Sequence, residues 1–281
     1  MVTTMKKQSR GKWKLAVGAA AALVGVPLAM LAPGRTTKRQ RAPFQYVNFA
    51  HRGLHSRDMR VPENSLAAFA LAASAGYGIE LDVQLSRDGQ VVVFHDDTLE
   101  RVCGVCARVD ELSFDELRAL RLCGTEQQIP LLSEVLATVR GRGPLIVELK
   151  TGRRNRELCE KTYALLSDYR GEVCIESFDP TIVAWFRFHG RDLVRGQLAQ
   201  PSRRYDSSLS RPAAFLLSRG FLNFLGRPQF MAYRIGFKPL PVRLAERLGA
   251  MRFAWTSHEP RNEAKNDAVI FEFYKPRQRF R

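Results

Sequence analysis

The sequence IELDVQLSRDGQVVVFHDD places Glu80 and Asp82 two residues apart in a run of alternating apolar and polar residues. Side chains at positions i and i+2 of a strand project from one face, so both carboxylates point the same way. Asp88 and Gly89 are typical of a tight hairpin turn, which returns the chain toward His95. Two neighbouring carboxylates without a cation repel each other. The stretch therefore predicts a bound divalent cation with a histidine beside it.

Two further strand-like runs end in side chains that can transfer protons or bind ions. His51 and Arg52 follow the first run of the chain, and Glu148 lies near Lys150 at the end of PLIVELK. Three carboxylates suit a hard ion, Mg²⁺ or Ca²⁺, while arginine and lysine suit a phosphate. Two histidines can divide base and acid work near neutral pH. Together these groups predict phosphodiester cleavage, although each motif alone is more typical of a solvated strand face or a packed histidine.

Nine strand-like runs are separated by helical stretches. They cover residues 46–50, 78–85, 91–95, 144–149, 173–178, 194–199, 230–234, 252–256 and 269–273. The Asp-Gly turn pairs the third run back on the second, which leaves eight. The pattern predicts an α/β fold, a TIM (β/α)₈ barrel with a β-hairpin after strand 2, whose reactive groups lie at the C-terminal strand ends. An open doubly wound sheet is the alternative.

Helix signals fill the gaps between these runs. Asn64 is expected to cap a helix that ends near Gly76, and Ser113 with Glu116 has the spacing of a capping box. The segments LSEVLATV and ELCEKTYALLSDY have helical periodicity.

The N-terminal 41 residues carry nine basic and no acidic side chains, which is more than half of the net charge of +16. Between the basic clusters, residues 15–32 contain no charge, and their length is at the lower edge of a membrane span. We expect a basic tail at 1–14, a transmembrane anchor at 15–32, a basic linker at 33–43 and the barrel at 44–276. A cleaved signal peptide and a buried helix are the alternatives. The predicted location is a membrane with a single-pass anchor, and basic residues on both sides leave its orientation open.

Several motifs occur together in a characteristic order. FAHRGLHS, PENSLAAF, IELDVQLSRDGQVVVFHDDTLERV, LIVELK, ESFDP and FAWTSH resemble the motif series of the glycerophosphodiester phosphodiesterase family over about residues 46–276. The resemblance implies a TIM barrel that hydrolyses glycerol-linked phosphodiesters to an alcohol and glycerol 3-phosphate. The substrate's own glycerol hydroxyl is implied to attack phosphorus first, which gives a cyclic phosphate that water opens.

The resemblance also implies roles for single residues. His51 and His95 would be the general acid and base, Arg52 would hold the phosphate, and Lys150 would stabilise the developing charge. Glu80, Asp82 and Glu148 would bind Mg²⁺ or Ca²⁺. The C-terminal part departs from the family where VIFEFYKP and TSHEP replace its usual strand ends, which leaves the role of Glu272 open.

Two other functions stay open from the sequence. One is a lysophospholipase D-like activity on lysolipids, and the other is a non-catalytic basic protein that binds membranes or nucleic acid. The arginine-rich, apolar segment Ser202–Phe230 is either a packed loop and helix or a membrane-binding flap. We expect no nucleic-acid partner, because the basic N-terminal arm accounts for most of the charge. Cys103 and Cys106 have metal-ligand spacing without a second pair and are interpreted as loop cysteines.

Overall fold

The computed structural model describes residue 25 and residues 28–207 and 209–281. The predicted basic tail at 1–14 and most of the predicted anchor at 15–32 therefore lie outside the described residues. Within the described part, no helix is both long and apolar enough to cross a membrane.

Eight parallel strands close into a barrel, as the sequence predicts. The strands are β1 (Val47–Ala50), β2 (Gly78–Leu85), β4 (Leu145–Leu149), β5 (Val173–Ser177), β6 (Val194–Ala199), β7 (Phe230–Arg234), β8 (Met251–Ser257) and β9 (Ala268–Phe271). Each pairs with the next, and β1 closes the ring by pairing with both β2 and β9. The ninth strand, β3 (Val91–Val93), pairs antiparallel with β2 through the predicted hairpin.

Helices cover the outside of the barrel. They are α1 (Lys38–Arg41), α2 (Leu66–Ser74), α3 (Glu100–Cys103), α4 (Phe114–Arg118), α5 (Leu132–Val139), α6 (Asn155–Ser167), α7 (Pro180–His189), α8 (Arg211–Ser218), α9 (Asn223–Gly226) and α10 (Leu240–Arg247). The predicted capping box of Ser113 and Glu116 opens α4. The prediction that Asn64 caps α2 is wrong, because Ser65 accepts the hydrogen bond from the Ala68 amide. Asn64 instead has a φ of 54° and is turned toward the barrel.

The lower half of the barrel interior is filled with apolar side chains. The Phe230 ring stacks on Phe253 with centroids 4.1 Å apart, and Phe49 lies 6.3 Å from Phe253 on the other side. Gly196 on β6 leaves the space for Phe230, since a Cβ there would lie 2.0 Å from the ring. This plug fills the part of the interior near the N-terminal end of β7.

The described residues of the predicted anchor and linker pack on the barrel. Leu28–Leu31 is helical, and Leu31 is only 2% exposed in a cluster that includes Tyr233 and Val242. Arg227 donates hydrogen bonds to the carbonyls of Ala29 and Ala32. These last residues of the predicted anchor thus contact the barrel, and the predicted boundary at residue 32 stays a prediction.

Candidate active site

Polar side chains replace the apolar plug where the strands end. Every second residue of a strand faces the barrel interior, and on β2 this series runs from Gly78 through Glu80 and Asp82 to Gln84. The register aligns Asp82 with Glu148 and Glu148 with Glu176 on three neighbouring strands. The strand period and the register thus place carboxylates side by side at the C-terminal end of the barrel.

The turn after β1 positions His51 and Arg52. Arg52 adopts a φ of 52°, and Gly53 adopts a φ of 80° with no room for a Cβ against Ala68. The Arg52 amide donates to Glu80 Oε2 at 2.9 Å, which fixes the turn to the carboxylate cluster. The tight turn therefore holds His51, one of the two predicted catalytic histidines, and Arg52, the predicted phosphate ligand, above β2.

His51 has a carboxylate partner that sequence reasoning left open. Its Nδ1 lies 3.3 Å from Glu272 Oε2, and its Nε2 lies 3.9 Å from Glu80 Oε2. Burial and the positive charge of Arg52 lower the pKa of His51 despite the opposing effect of Glu272. A neutral imidazole that donates Nδ1–H to Glu272 leaves Nε2 ready to accept a proton.

The hairpin delivers His95 from the opposite side. Gln84 donates from Nε2 to the carbonyls of Phe94 and Asp96, both at 2.9 Å, which holds the chain on either side of His95. His95 Nδ1 lies 2.5 Å from Asp96 Oδ1, and Arg101 in turn binds Asp96. Each histidine thus has its own orienting carboxylate.

Asp82 is surrounded by donors. Its carboxylate accepts from Asn64 Nδ2 at 2.9 Å, and Lys150 Nζ and Arg52 Nε lie 3.4 and 3.5 Å away. Burial opposes ionisation, but His95, Lys150 and Arg52 outweigh it and hold the pKa of Asp82 below its usual range. Lys150 also donates to Glu148 at 2.8 Å. Asp82 is therefore held as an anion among these donors.

Glu80, Glu148 and Glu176 form the group best suited to a cation. Each offers an oxygen, and these oxygens lie within 4.8 Å of one another. Burial and neighbouring carboxylates raise the pKa of Glu80 and of Glu176 well above the usual range. Oε2 of Glu176 is buried and has no hydrogen-bond partner among the residues that the structure describes. These features fit a hard divalent cation, which prefers oxygen ligands and a negatively charged site.

A cavity of about 380 Å³ opens over this cluster. Its lining includes His51, Arg52, His95 and the carboxylates Glu80, Glu148, Glu176 and Glu272; the other lining residues are Phe178, Leu198, Gln200, Arg234, Trp255, Thr256 and Ile270. The cavity thus combines ionisable side chains with aromatic and aliphatic ones.

The structure brings the seven predicted site residues together. Five of them line the cavity; of the other two, Asp82 contacts Arg52 and Lys150 contacts Glu148. Their chemical roles stay predictions. Sequence reasoning missed Glu176, whose signal was its position in VCIES two residues after an inward-facing Cys174. His258, to which the sequence assigns no role, also lies 3.5 Å from Glu272.

The comparison with known proteins now decides the family. The model of the Glycerophosphoryl diester phosphodiesterase family matches residues 51–274, which is most of the chain. The chain belongs to this family. The matched region begins at His51 and includes every strand-end residue of the cavity described above.

Individual relatives agree with this assignment. The chain is similar to lysophospholipase D GDPD1 of Rattus norvegicus (32% identical over 153 residues, 50% of this chain and 47% of the relative). It is also similar to a glycerophosphodiester phosphodiesterase of Caldanaerobacter subterraneus subsp. tengcongensis (37% over 113 residues, 37% and 44%). The chain thus spans less than half the length of these two curated relatives.

A solved structure agrees in fold. The Oleispira antarctica phosphodiesterase OLEI02445, in complex with the product sn-glycerol-3-phosphate, is 22% identical with a TM-score of 0.68. The similarity covers 82% of this chain and 94% of that chain. It shows that the two proteins share the barrel fold.

Proposed function

We propose that the protein hydrolyses glycerophosphodiesters to an alcohol and sn-glycerol 3-phosphate with a divalent cation. The observation that carries this proposal is the pair of histidines, each paired with its own carboxylate, in one cavity with a cluster of buried carboxylates. Family membership and the glycerophosphodiesterase name of one relative support the same substrate class.

The two histidines transfer protons, and the two cations offset charge, in both steps of the proposed reaction. His51 Nε2 takes the proton of the attacking hydroxyl, which the family resemblance assigns to the glycerol of the substrate, as phosphorus forms its new bond. His95 gives a proton to the alcohol oxygen as its bond to phosphorus breaks. Water then opens the cyclic phosphate with the two histidines in exchanged roles. Arg52 and Lys150 lie where they can offset charge on the phosphoryl oxygens.

Glu80, Asp82 and Glu148 would hold the cation, with Glu176 as an additional carboxylate beside them. A bound Mg²⁺ or Ca²⁺ would supply charge stabilisation to the phosphoryl oxygens. Lys150, which bridges Asp82 and Glu148, would keep two of these ligands in place.

The test is release of sn-glycerol 3-phosphate from glycerophosphoglycerol by the purified full-length chain in detergent. We expect His51→Ala to lower kcat/KM by about 10²- to 10⁴-fold, as is typical for loss of a general base. His189→Ala is the matched control, because His189 stacks on Trp185 on the outer helix α7. Activity that persists in EDTA would contradict the cation, and equal activity of the His51 variant would contradict the mechanism.

A lysophospholipase D-like activity is the second candidate. Phe178, Leu198 and Ile270 give the cavity an apolar wall, and Phe237 in the loop after β7 is 81% exposed at the same end of the barrel. An acyl chain of a lysolipid could lie along these side chains. Phe237→Ser should then lower kcat/KM for a lysolipid and leave that for a soluble diester unchanged; equal effects on both substrates would contradict this candidate.

Membrane attachment through the predicted anchor at residues 15–32 and through residues 202–230 is also part of the proposal. Phe215, Leu216 and Phe224 are exposed on α8 and α9, and Arg219 lies 3.7 Å over the Phe215 ring. Basic and aromatic side chains together suit a membrane interface. The patch is adjacent to Arg227, which binds Ala29 and Ala32, so both attachments would lie on one flank.

Vesicle binding tests this attachment. The variant Phe215→Ser/Phe224→Ser should sediment less with anionic vesicles than the parent chain, whereas Leu71→Ser, an exposed apolar control on α2, should not. Deletion of residues 1–27 tests the anchor separately, since it should move the protein from membrane to soluble fractions. Unchanged sedimentation of the double variant would assign this patch to packing alone.

A further inference from the structure

Arg234 is a cation in the catalytic cavity that the mechanism does not use. It is the last residue of β7, faces the barrel interior and lines the same cavity as His51. Its register partner on β8 is Trp255, and its guanidinium carbon lies 5.0 Å from the centre of the indole ring. The guanidinium is thus held flat over an aromatic face inside the cavity.

This arginine lacks an anionic partner among the residues that the structure describes. Arg52 and Lys150, the other two cations of the site, each contact two carboxylates. Arg234 has neither an ion pair nor a side-chain hydrogen bond within the described part of the chain. Glu272 attracts it from a distance but is paired with His51. Five donor hydrogens therefore remain available to a ligand.

A second arginine lies near the first. Arg204 ends the 3₁₀ turn Ser202–Arg204 that follows β6, and its carbonyl accepts a hydrogen bond from Gln200, which also lines the cavity. Burial and the positive charge of Arg204 lower the pKa of Arg234. Two neighbouring like charges repel each other unless an anion lies between them. Arg204 and Arg234 thus lie at the C-terminal ends of the paired strands β6 and β7, beside the cavity.

The same arrangement disfavours a cationic ligand. Quaternary ammonium groups bind to the faces of aromatic rings, above all tryptophan. Arg234 already covers the face of Trp255, and the Phe178 ring meets Trp255 edge-on with centroids 5.8 Å apart. A choline group placed here would meet a fixed positive charge instead of an open ring face.

We propose that Arg234, together with Arg204, binds an anionic group on the alcohol side of the substrate. The enzyme then prefers glycerophosphodiesters whose alcohol carries a phosphate or carboxylate over those whose alcohol is a quaternary ammonium. This inference rests on the proposed function. It adds a charge requirement on the leaving alcohol that the metal and histidine groups do not impose.

Three substrates that differ in the charge of the alcohol test the proposal. Bis(glycerophospho)glycerol has an anionic alcohol, glycerophosphoglycerol a neutral one and glycerophosphocholine a cationic one. We expect kcat/KM, corrected for the two scissile bonds of the first compound, to fall in that order. The first and last should differ by about 10- to 100-fold, the size expected for a charge-assisted hydrogen bond.

Variants separate this role from a role at the scissile phosphate. Arg234→Gln should lower kcat/KM for the anionic substrate by about 10-fold or more and leave glycerophosphocholine unchanged or improved. Arg204→Gln should act in the same direction with a smaller effect, because Arg204 is more exposed. Arg247→Gln, an exposed arginine on α10 outside the cavity, is the control. Equal losses on all three substrates would overturn the proposal and assign Arg234 to the phosphate.

A binding assay with an inactive variant separates a failure of the anion site from a failure of the proposed hydrolysis. Calorimetric titration of the His51→Ala variant, in the presence of Ca²⁺, should give tighter binding of bis(glycerophospho)glycerol than of glycerophosphocholine. An inactive parent chain that still shows this preference would refute the proposed hydrolysis and support the anion site. An active parent chain with no preference in either assay would refute the anion site alone.

Discussion

Replacing Glu176 by glutamine is expected to stabilise the cation-free protein and weaken cation binding. Glu176 is 1% exposed and aligned with Glu148 on the neighbouring strand, and one of its oxygens has no hydrogen-bond partner in the described part of the chain. Without a cation, its negative charge is buried among other carboxylates. Glutamine has nearly the same shape and removes this charge, so the two effects of the substitution have opposite signs.

The size of the first effect follows from proton linkage. The pKa of Glu176 lies well above 4.5 in the folded protein, first because of burial and then because of Glu148 and Asp82. Between the unfolded and folded pKa values the unfolded chain binds fewer protons, so the free energy of unfolding falls as the pH rises. Each pH unit in that window costs about 1.4 kcal/mol. Glutamine should thus be neutral at pH 4 and should stabilise the cation-free protein at pH 8.

The second effect appears when a cation is added. A cation at 100 times its Kd stabilises the folded protein by about 2.7 kcal/mol. If the substitution weakens the Kd about tenfold, in the range seen for residues that support metal sites, the same concentration stabilises the variant by only about 1.4 kcal/mol. The advantage of the variant should therefore shrink by about 1.3 kcal/mol.

Urea denaturation of the parent and variant chains at pH 4 and pH 8, in EDTA and in Ca²⁺, measures both effects. Glu172→Gln is the matched control, because Glu172 is exposed just before β5. A Glu176 variant that is less stable than the parent at pH 8 in EDTA would refute the reasoning, since it would mean that the carboxylate is stabilised by the protein itself.

Two other predictions concern orientation and packing. Glu272→Gln should lower kcat and shift the acid limb of the pH profile of kcat/KM to lower pH, because a lost carboxylate no longer stabilises the His51 imidazolium; an unshifted limb would exclude this pairing. Gly196→Ala should lower the free energy of unfolding by about 1–3 kcal/mol, because the added Cβ would overlap the Phe230 ring. Gly152→Ala, where a Cβ meets no atom within 4 Å, should unfold like the parent chain.

The barrel was predictable because its signals are local. All nine strands alternate or run apolar between turn residues, and the Asp88-Gly89 pair fixed the hairpin that reduced nine runs to eight. The helix start at Ser65 was missed by one residue, since Asn and Ser are both good caps. The choice depended on Asp82, which binds the Asn64 side chain from 18 residues away. No local pattern contains that contact.

The site was predictable only where motifs were dense. Residues on β1, β2 and β4 follow recognisable motifs, whereas Glu176, Arg234 and Glu272 are single polar residues at the ends of apolar strands. Counting every second residue along each strand would have placed all three inside the barrel. Such a count does not show which side chains form hydrogen bonds with each other. Those hydrogen bonds distinguish Asp82, whose carboxylate accepts from Asn64, from Glu176, which has an oxygen without a partner among the described residues.

The docking of residues 28–35 on the barrel also limits how the enzyme could reach its substrate. A free tether gains about 3.4 Å of reach per extended residue, so eight residues held by Arg227 and its neighbours forfeit about 27 Å. If residues 15–27 lay in a bilayer, the barrel would be held close to the membrane. It could then not turn the open end of its cavity toward the lipid surface. Diffusing head-group diesters, already freed of both acyl chains, would then reach the mouth more readily than lipids that stay in the bilayer.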